Sequence, residues 1–159
     1  MRTTMNSTKN STMDSVPDSA MNSTAKTMRT TTTLNTLAEN VRRKSAAILQ
    51  ERVSDGIHLI QFAKHAHWNV RGPNFRELHE LFDDLYESLS KVTDEYAERI
   101  AQLGIGVEGT CRSAEERTFL ADYPPDSGDE SEHLEVLSAA LSRFAGAVRH
   151  DIGTADRIG

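Results

Sequence analysis

From Leu34 onward, apolar residues return at three- and four-residue intervals, the period of a helix with one buried face. Leu49, Val53, Ile57 and Ile60 mark the first such run. The spacing predicts that it starts at Thr36, with Glu39 three residues on as a capping box. It ends near Trp68, ahead of the helix-breaking Gly72-Pro73. Asn74, followed three residues later by Glu77, opens a second helix. Its stripe is Leu78, Phe82, Leu85, Leu89, Val92, Tyr96, Ile100 and Leu103, an almost unbroken alternation of steps of four and three until Gly104 and Gly106 stop it. The short link between these helices makes them antiparallel neighbours. A connection from Gly104 to about Asp129 follows, too long to be structureless in a compact domain. Within it, Ser113 and Glu116 predict a short capped helix over Ala114–Leu120, closed by Tyr123-Pro124-Pro125. A third long helix then carries Leu134, Leu137, Leu141, Phe144, Val148 and Ile152.

The expected fold class is therefore all-α. A long crossover carrying a short helix, set between the second and third long helices, is the wiring of a ferritin-like helical bundle. On this reading three long helices are present and the fourth is missing. The three leave an open apolar groove, so the chain is expected to be truncated at its C-terminus or to need a partner that covers the groove.

Residues 1–33 differ from the rest. They hold ten Thr, five Ser and all five Met of the chain, and no aromatic residue. Such a segment has too little apolar surface to offset its ordering entropy, and a disordered arm is expected, with the ferritin-like domain over residues 34–159. Ser, Thr and Arg content also suits a transit peptide, although Asp14, Pro17 and Asp18 interrupt any amphipathic helix there. The extra methionines also fit upstream sequence translated from an early start. Charge is segregated: the formal net charge of −6 divides into +2 for residues 1–33 and −8 for the remainder. An acidic body argues against extensive phosphate binding by the folded surface and suits a surface that gathers cations. No apolar run approaches the roughly 20 residues of a membrane span. The single cysteine, Cys111, excludes an intrachain disulfide and fits a reducing compartment.

The candidate chemistry lies on the second helix. His79 and Asp83 are four residues apart, as are Asp94 and Glu98. Taking His79 as zero, the others fall at about 40°, 60° and 100° around the axis, all on one face and away from the apolar stripe. A solvated, charge-decorated face has the same appearance. Two details weigh against it. His67 lies close to the buried stripe of the first helix, and Ser90, Ala97 and Ala101 leave room for another helix to approach.

The centres of the two pairs lie about 22 Å apart along the helix axis, so one helix cannot wrap both around one metal. An antiparallel copy can, if a twofold axis passes near Ser88–Leu89. His79 and Asp83 of one copy then face Asp94 and Glu98 of the other, with His67 joining the first pair across the turn. Imidazole and carboxylate ligands with open positions suit iron(II). His65 is about 200° from His67 on a helix and cannot share its metal. His58, His133 and His150 are expected to be solvated, and Cys111 to be an ordinary small residue.

The run His67-Trp68-Asn69-Val70-Arg71-Gly72-Pro73-Asn74-Phe75, with His79, Asp83, Asp94 and Glu98 following at fixed spacings, resembles the Dps family of DNA-protecting mini-ferritins. The resemblance covers roughly residues 37–158. It implies a hollow dodecamer with a di-iron ferroxidase site at each twofold interface. His67, His79 and Asp83 would ligate from one subunit, Asp94 and Glu98 from its mate, with Trp68 beside the site. It further implies oxidation of iron(II), preferably by hydrogen peroxide, storage of the iron(III) as mineral, and a cytoplasmic, nucleoid-associated role in protecting DNA. Family members often bind DNA through lysine-rich arms; residues 1–33 carry only four basic residues against two acidic ones, so weak or absent DNA binding is expected. The readings to set beside this one are a structural DNA-binding protein of the nucleoid without oxidase activity and a plain helical interaction module. A larger ferritin would need a Glu-x-x-His pair on each of two helices, and the sequence holds that spacing once, at Glu130 and His133.

Overall fold

The computed structural model describes residues 28–158. Three long helices and one short one follow in chain order: α1 (Glu39–Asn69), α2 (Phe75–Gln102), α3 (Cys111–Glu115) and α4 (Glu130–Ile158). The long helices are those the apolar periodicity predicts, and the fold is a ferritin-like bundle. α1 is the hub, packing against α2, α4 and α3.

Two apolar clusters hold the bundle together. One joins Leu59, Phe62, Ala63 and Ala66 of α1 to Phe82 and Leu89 of α2, Leu120 of the crossover, and Leu137 and Ala140 of α4. The other joins Ala46 and Val53 to Ile100, Leu103 and Ile105 at the opposite end. Between them, α1 and α2 cross closely. A Cβ at Gly56 would run into Thr93 Oγ1, which is already bound back to the Leu89 carbonyl at 2.7 Å. Glycine is required there for lack of space.

The buried face of α1 is not the stripe read from Leu49, Val53, Ile57 and Ile60. Gln50, Ser54 and Asp55 are almost wholly buried, while Leu49, Ile57 and Ile60 are only partly so. The crossover explains this. The Gln50 side-chain amide exchanges two hydrogen bonds with the Glu108 backbone, at 2.8 and 2.9 Å. Asp55 accepts from Thr118 Oγ1 at 2.8 Å and from the Phe119 amide at 3.3 Å, and pairs with Arg52 at 3.1 Å. These polar groups replace water at the crossover backbone.

Three of the expected caps are corrected. α1 starts at Glu39 after Ala38 with no side-chain cap, because Thr33 and Asn35 instead fix the extended approach, bonding the amides of Asn35 and Leu37. Asn74 does precede α2, but its side chain bonds Glu130 rather than its own helix. The short helix is Cys111–Glu115, not Ala114–Leu120: Thr110 caps it, with Ser113 as the reciprocal partner rather than the cap. Leu120 is freed to join the core. The last six residues of the expected arm, 28–33, run beside the loop after α2: Thr31 donates to Gly104 O at 2.9 Å and Arg29 O accepts from Gly106 at 2.7 Å. The rest of that arm lies outside the described residues. Cys111 is exposed.

The expected groove is present between α1, α2 and α4. It measures about 420 Å³, and its walls include Leu37, Leu49, Tyr96, Val148 and Ile152. Among the described residues no helix is long and apolar enough to cross a membrane.

Candidate metal centre

The site begins with the turn that joins α1 to α2. Gly72 has φ +155°, and a Cβ there would run into the Glu130 side chain. That carboxylate accepts from the Asn74 amide at 2.6 Å and from Asn74 Nδ2 at 2.9 Å. Arg71 N donates to Gly128 O at 3.1 Å. The start of α4 therefore clamps the turn, and the clamp fixes how the end of α1 faces the first turns of α2.

His67 and His79 meet across this junction. Their rings stack with centroids 3.6 Å apart and planes 23° from parallel. His67 Nδ1 lies 2.9 Å from the His79 carbonyl oxygen, and His79 Nδ1 lies 2.8 Å from the His67 carbonyl oxygen. A carbonyl can only accept, so each Nδ1 carries a proton, and in the neutral rings each Nε2 presents a lone pair. That is the tautomer a metal requires, held by the kind of backbone partner that orients metal-binding imidazoles. The Phe75 ring stands 5.1 Å from that of His79. Trp68 is 70% exposed, next to His67 in the chain.

Asp83 lies one turn beyond His79. Lys64, one turn before His67 on α1, holds Asp83 Oδ1 with its ammonium group, which also sits 4.3 Å above the Tyr86 ring. The Lys64 hydrogen bond and charge, with smaller contributions from His67 and His79, keep the Asp83 carboxyl below its ordinary range against a weaker opposing effect of burial. Asp94 and Glu98 are exposed on α2, the helix that also carries His79 and Asp83. Their midpoint is about 22 Å further along its axis. Among the described residues no three His, Cys, Asp or Glu side chains converge as a metal-binding group. The chain thus brings His67 and His79 together with Asp83 nearby, and leaves Asp94 and Glu98 apart from them.

Sequence reasoning missed Lys64, although its place three residues before His67 puts it on the same face of α1. It also misplaced His133, expected in solvent but fully buried. His133 Nδ1 is 2.6 Å from the Tyr123 hydroxyl, and burial, with His65 adding to it, holds the imidazole pKa below its ordinary range against Glu132, Asp129 and the Asn69 carbonyl. His65 turns away from His67, as the helical angle requires, and its ring lies 4.6 Å from that of Tyr123. His150 is exposed as expected; His58 is half-buried against Phe62.

Known proteins share this architecture. The ferritin-like domain family matches residues 46–154. The chain is 34% identical over 132 residues to a DNA protection during starvation protein of Agrobacterium fabrum, covering 83% of this chain and 82% of that one. DpsC from Streptomyces coelicolor superposes with a TM-score of 0.77 at 26% identity, over 82% of this chain and 76% of its own. Dps from Microbacterium arborescens, solved in a high iron form, superposes with a TM-score of 0.72 at 26% identity, over 80% of this chain and 82% of its own. With that match in fold, length and sequence, the chain belongs to the Dps family of ferritin-like proteins.

Proposed function

We propose that this chain is a ferroxidase and iron-storage protein that oxidises iron(II) at sites shared between two antiparallel copies, and so protects DNA from oxidative damage. The observation that carries this reading is the His67–His79 pair. It offers two oriented Nε2 lone pairs beside Asp83, while Asp94 and Glu98 stand on the same helix at a distance only a second copy can bridge. His67, His79 and Asp83 of one subunit would hold iron(II) together with Asp94 and Glu98 of its mate, and Trp68 would border the site. Carboxylates add negative charge and favour the iron(III) state.

Hydrogen peroxide is the preferred oxidant in this reading. Two iron(II) ions, one peroxide and two protons give two iron(III) ions and two waters, a two-electron course that releases no hydroxyl radical. The twofold dimer is the smallest active unit, and a shell of twelve subunits would store the product as mineral. Protection comes from removing iron(II) and peroxide. The −8 charge of residues 34–159 gives the folded surface little attraction for phosphate, so coating of DNA contributes weakly. The single cysteine suits work in a reducing cytoplasm, beside the nucleoid.

Adding iron(II) without oxygen, then peroxide, and following the ferric absorbance tests this. The wild-type chain should oxidise iron rapidly, and a His79→Ala/Asp83→Ala variant should not. Equal rates in the two proteins would leave a structural role on DNA as the better reading.

A further inference from the structure

Behind the imidazole pair, on the inner side of the same helices, lies a second group of rings that iron oxidation does not use. Tyr123 sits 4.6 Å from His65 and 5.0 Å edge-on from Phe62, centroid to centroid. His133 lies 6.3 Å from His65 and 6.2 Å from Phe82. His65 is two residues before His67, and Phe82 directly precedes Asp83. The group therefore occupies the inner face of helix segments whose outer face carries the candidate ligands, about one helix diameter (10–12 Å) away.

Within it, the Tyr123 hydroxyl and His133 Nδ1 form a 2.6 Å hydrogen bond, and His133 has no exposed surface. Burial pushes the Tyr123 pKa up to about 12 and holds that of His133 below its ordinary range, so both groups stay neutral; in the tautomer protonated at Nε2, His133 Nδ1 accepts the phenol's hydrogen bond. A phenol that loses an electron becomes a very strong acid. An acceptor already in place lets the proton leave with the electron, and avoids a charged phenol radical in an apolar setting. The other two tyrosines differ: Tyr86 lies under the Lys64 ammonium, which opposes electron loss, and Tyr96 lines the groove. Among the described residues, Tyr123 is the tyrosine whose hydroxyl is bonded to an imidazole.

We propose that Tyr123 is an internal one-electron donor to strong oxidants formed at the metal site, with His133 as its proton acceptor. The proposal rests on the iron-oxidising reading for the source of the oxidant. When a single iron(II) meets peroxide, it yields iron(III), hydroxide and a hydroxyl radical. Tyr123 gives one electron to that radical, which becomes hydroxide. The phenolic O–H bond breaks and its proton forms an N–H bond at His133 Nδ1, leaving a neutral phenoxyl radical beside an imidazolium. A further iron(II) returns the electron and becomes iron(III), while His133 returns the proton. The oxidising equivalent is spent on iron inside the protein instead of on DNA.

The test is freeze-quench electron paramagnetic resonance of the full chain, loaded with iron(II) and mixed with peroxide, with ferric absorbance recorded in parallel. Wild type and a Tyr86→Phe/Tyr96→Phe double variant should give a phenoxyl signal, at least tenfold weaker in Tyr123→Phe. A signal that persists in Tyr123→Phe, or that is missing from wild type while ferric absorbance grows, overturns the proposal. A second arm needs no iron. Flash oxidation of the metal-free chain by a ruthenium photo-oxidant should form the same radical, slowed in heavy water and slowed further in His133→Phe; insensitivity to both overturns it. If iron is not oxidised at all, the ferroxidase reading fails while the flash arm still decides this one. Thermal melts check folding. Should Tyr123→Phe not fold, ring-deuterated tyrosine in the double variant must narrow the signal, and an unchanged line shape counts against Tyr123.

Discussion

His67 and His79 each direct Nδ1 at the other's backbone carbonyl, at 2.9 and 2.8 Å, so that two helix ends share one reciprocal pair of hydrogen bonds. The consequence is mutual: removing either ring takes away a candidate metal ligand, the stacking partner of the other ring, and one of the two hydrogen bonds that tie the helix ends together. His79→Ala is expected to lower the rate of iron(II) oxidation by at least about 10–100-fold, the cost usual for losing even an orienting partner. Stopped-flow absorbance at fixed iron(II) checks this, and His67→Ala should behave alike.

Lys64 occupies the Asp83 carboxylate, and on the proposed reading it would compete with the metal for it. Lys64→Met removes the competitor, and iron(II) binding at neutral pH is expected to tighten about two- to fivefold, in keeping with the modest strength of exposed ion pairs. Without Lys64 the carboxyl also loses the main influence holding its pKa down, so binding by the variant should weaken at a higher pH than binding by wild type as the solution is acidified. Anaerobic titration calorimetry at several pH values measures both effects.

At Gly56, α1 lies so close to Thr93 of α2 that a Cβ has no room. Gly56→Ala forces the helices apart or Thr93 out of its rotamer, and is expected to cost about 1–3 kcal/mol of stability. Thr93→Ala in the same chain removes the obstructing hydroxyl and should recover part of the loss. Urea unfolding of the two variants gives the comparison.

His133 ties stability to pH. Its folded pKa lies below the ordinary value of 6.5, so the unfolded chain takes up a proton more readily than the folded one. The stability it contributes is therefore complete above about pH 6.5 and declines as pH falls through that value toward the folded pKa. The unfolding free energy should slope downward over that range in wild type and less steeply in His133→Gln, which keeps an acceptor for Tyr123.

The sequence made the long helices legible because their apolar residues follow the helical period, and α2 most clearly so. Phe82, Leu89, Ile100 and Leu103 are buried as their spacing requires, although Val92 on the same stripe is partly exposed. The candidate ligand set was legible because His79, Asp83, Asp94 and Glu98 sit on one helix face, a relation fixed by residue number alone. What periodicity cannot carry is contact between distant segments. Gln50 and Asp55 look like solvent residues until the crossover arrives to use them. His133 looks the same until Tyr123 reaches it. The caps at Thr36 and Ser113 failed for a related reason: the residue that caps is chosen by where the chain comes from. At Thr110 the chain arrives extended, at φ −85° and ψ 152°, and Thr110 rather than Ser113 takes the role.

Complementation between two crippled chains tests the shared site most directly. A His79→Ala/Asp83→Ala chain and an Asp94→Ala/Glu98→Ala chain should each be inactive alone. Co-expressed, half of randomly formed pairs are mixed and each mixed pair rebuilds one of its two sites, so about a quarter of the wild-type iron(II) oxidation should return. If the mixture stays as inactive as its parts while wild type is active and mixed pairs are shown to form, the imidazole and acid halves do not meet across two subunits.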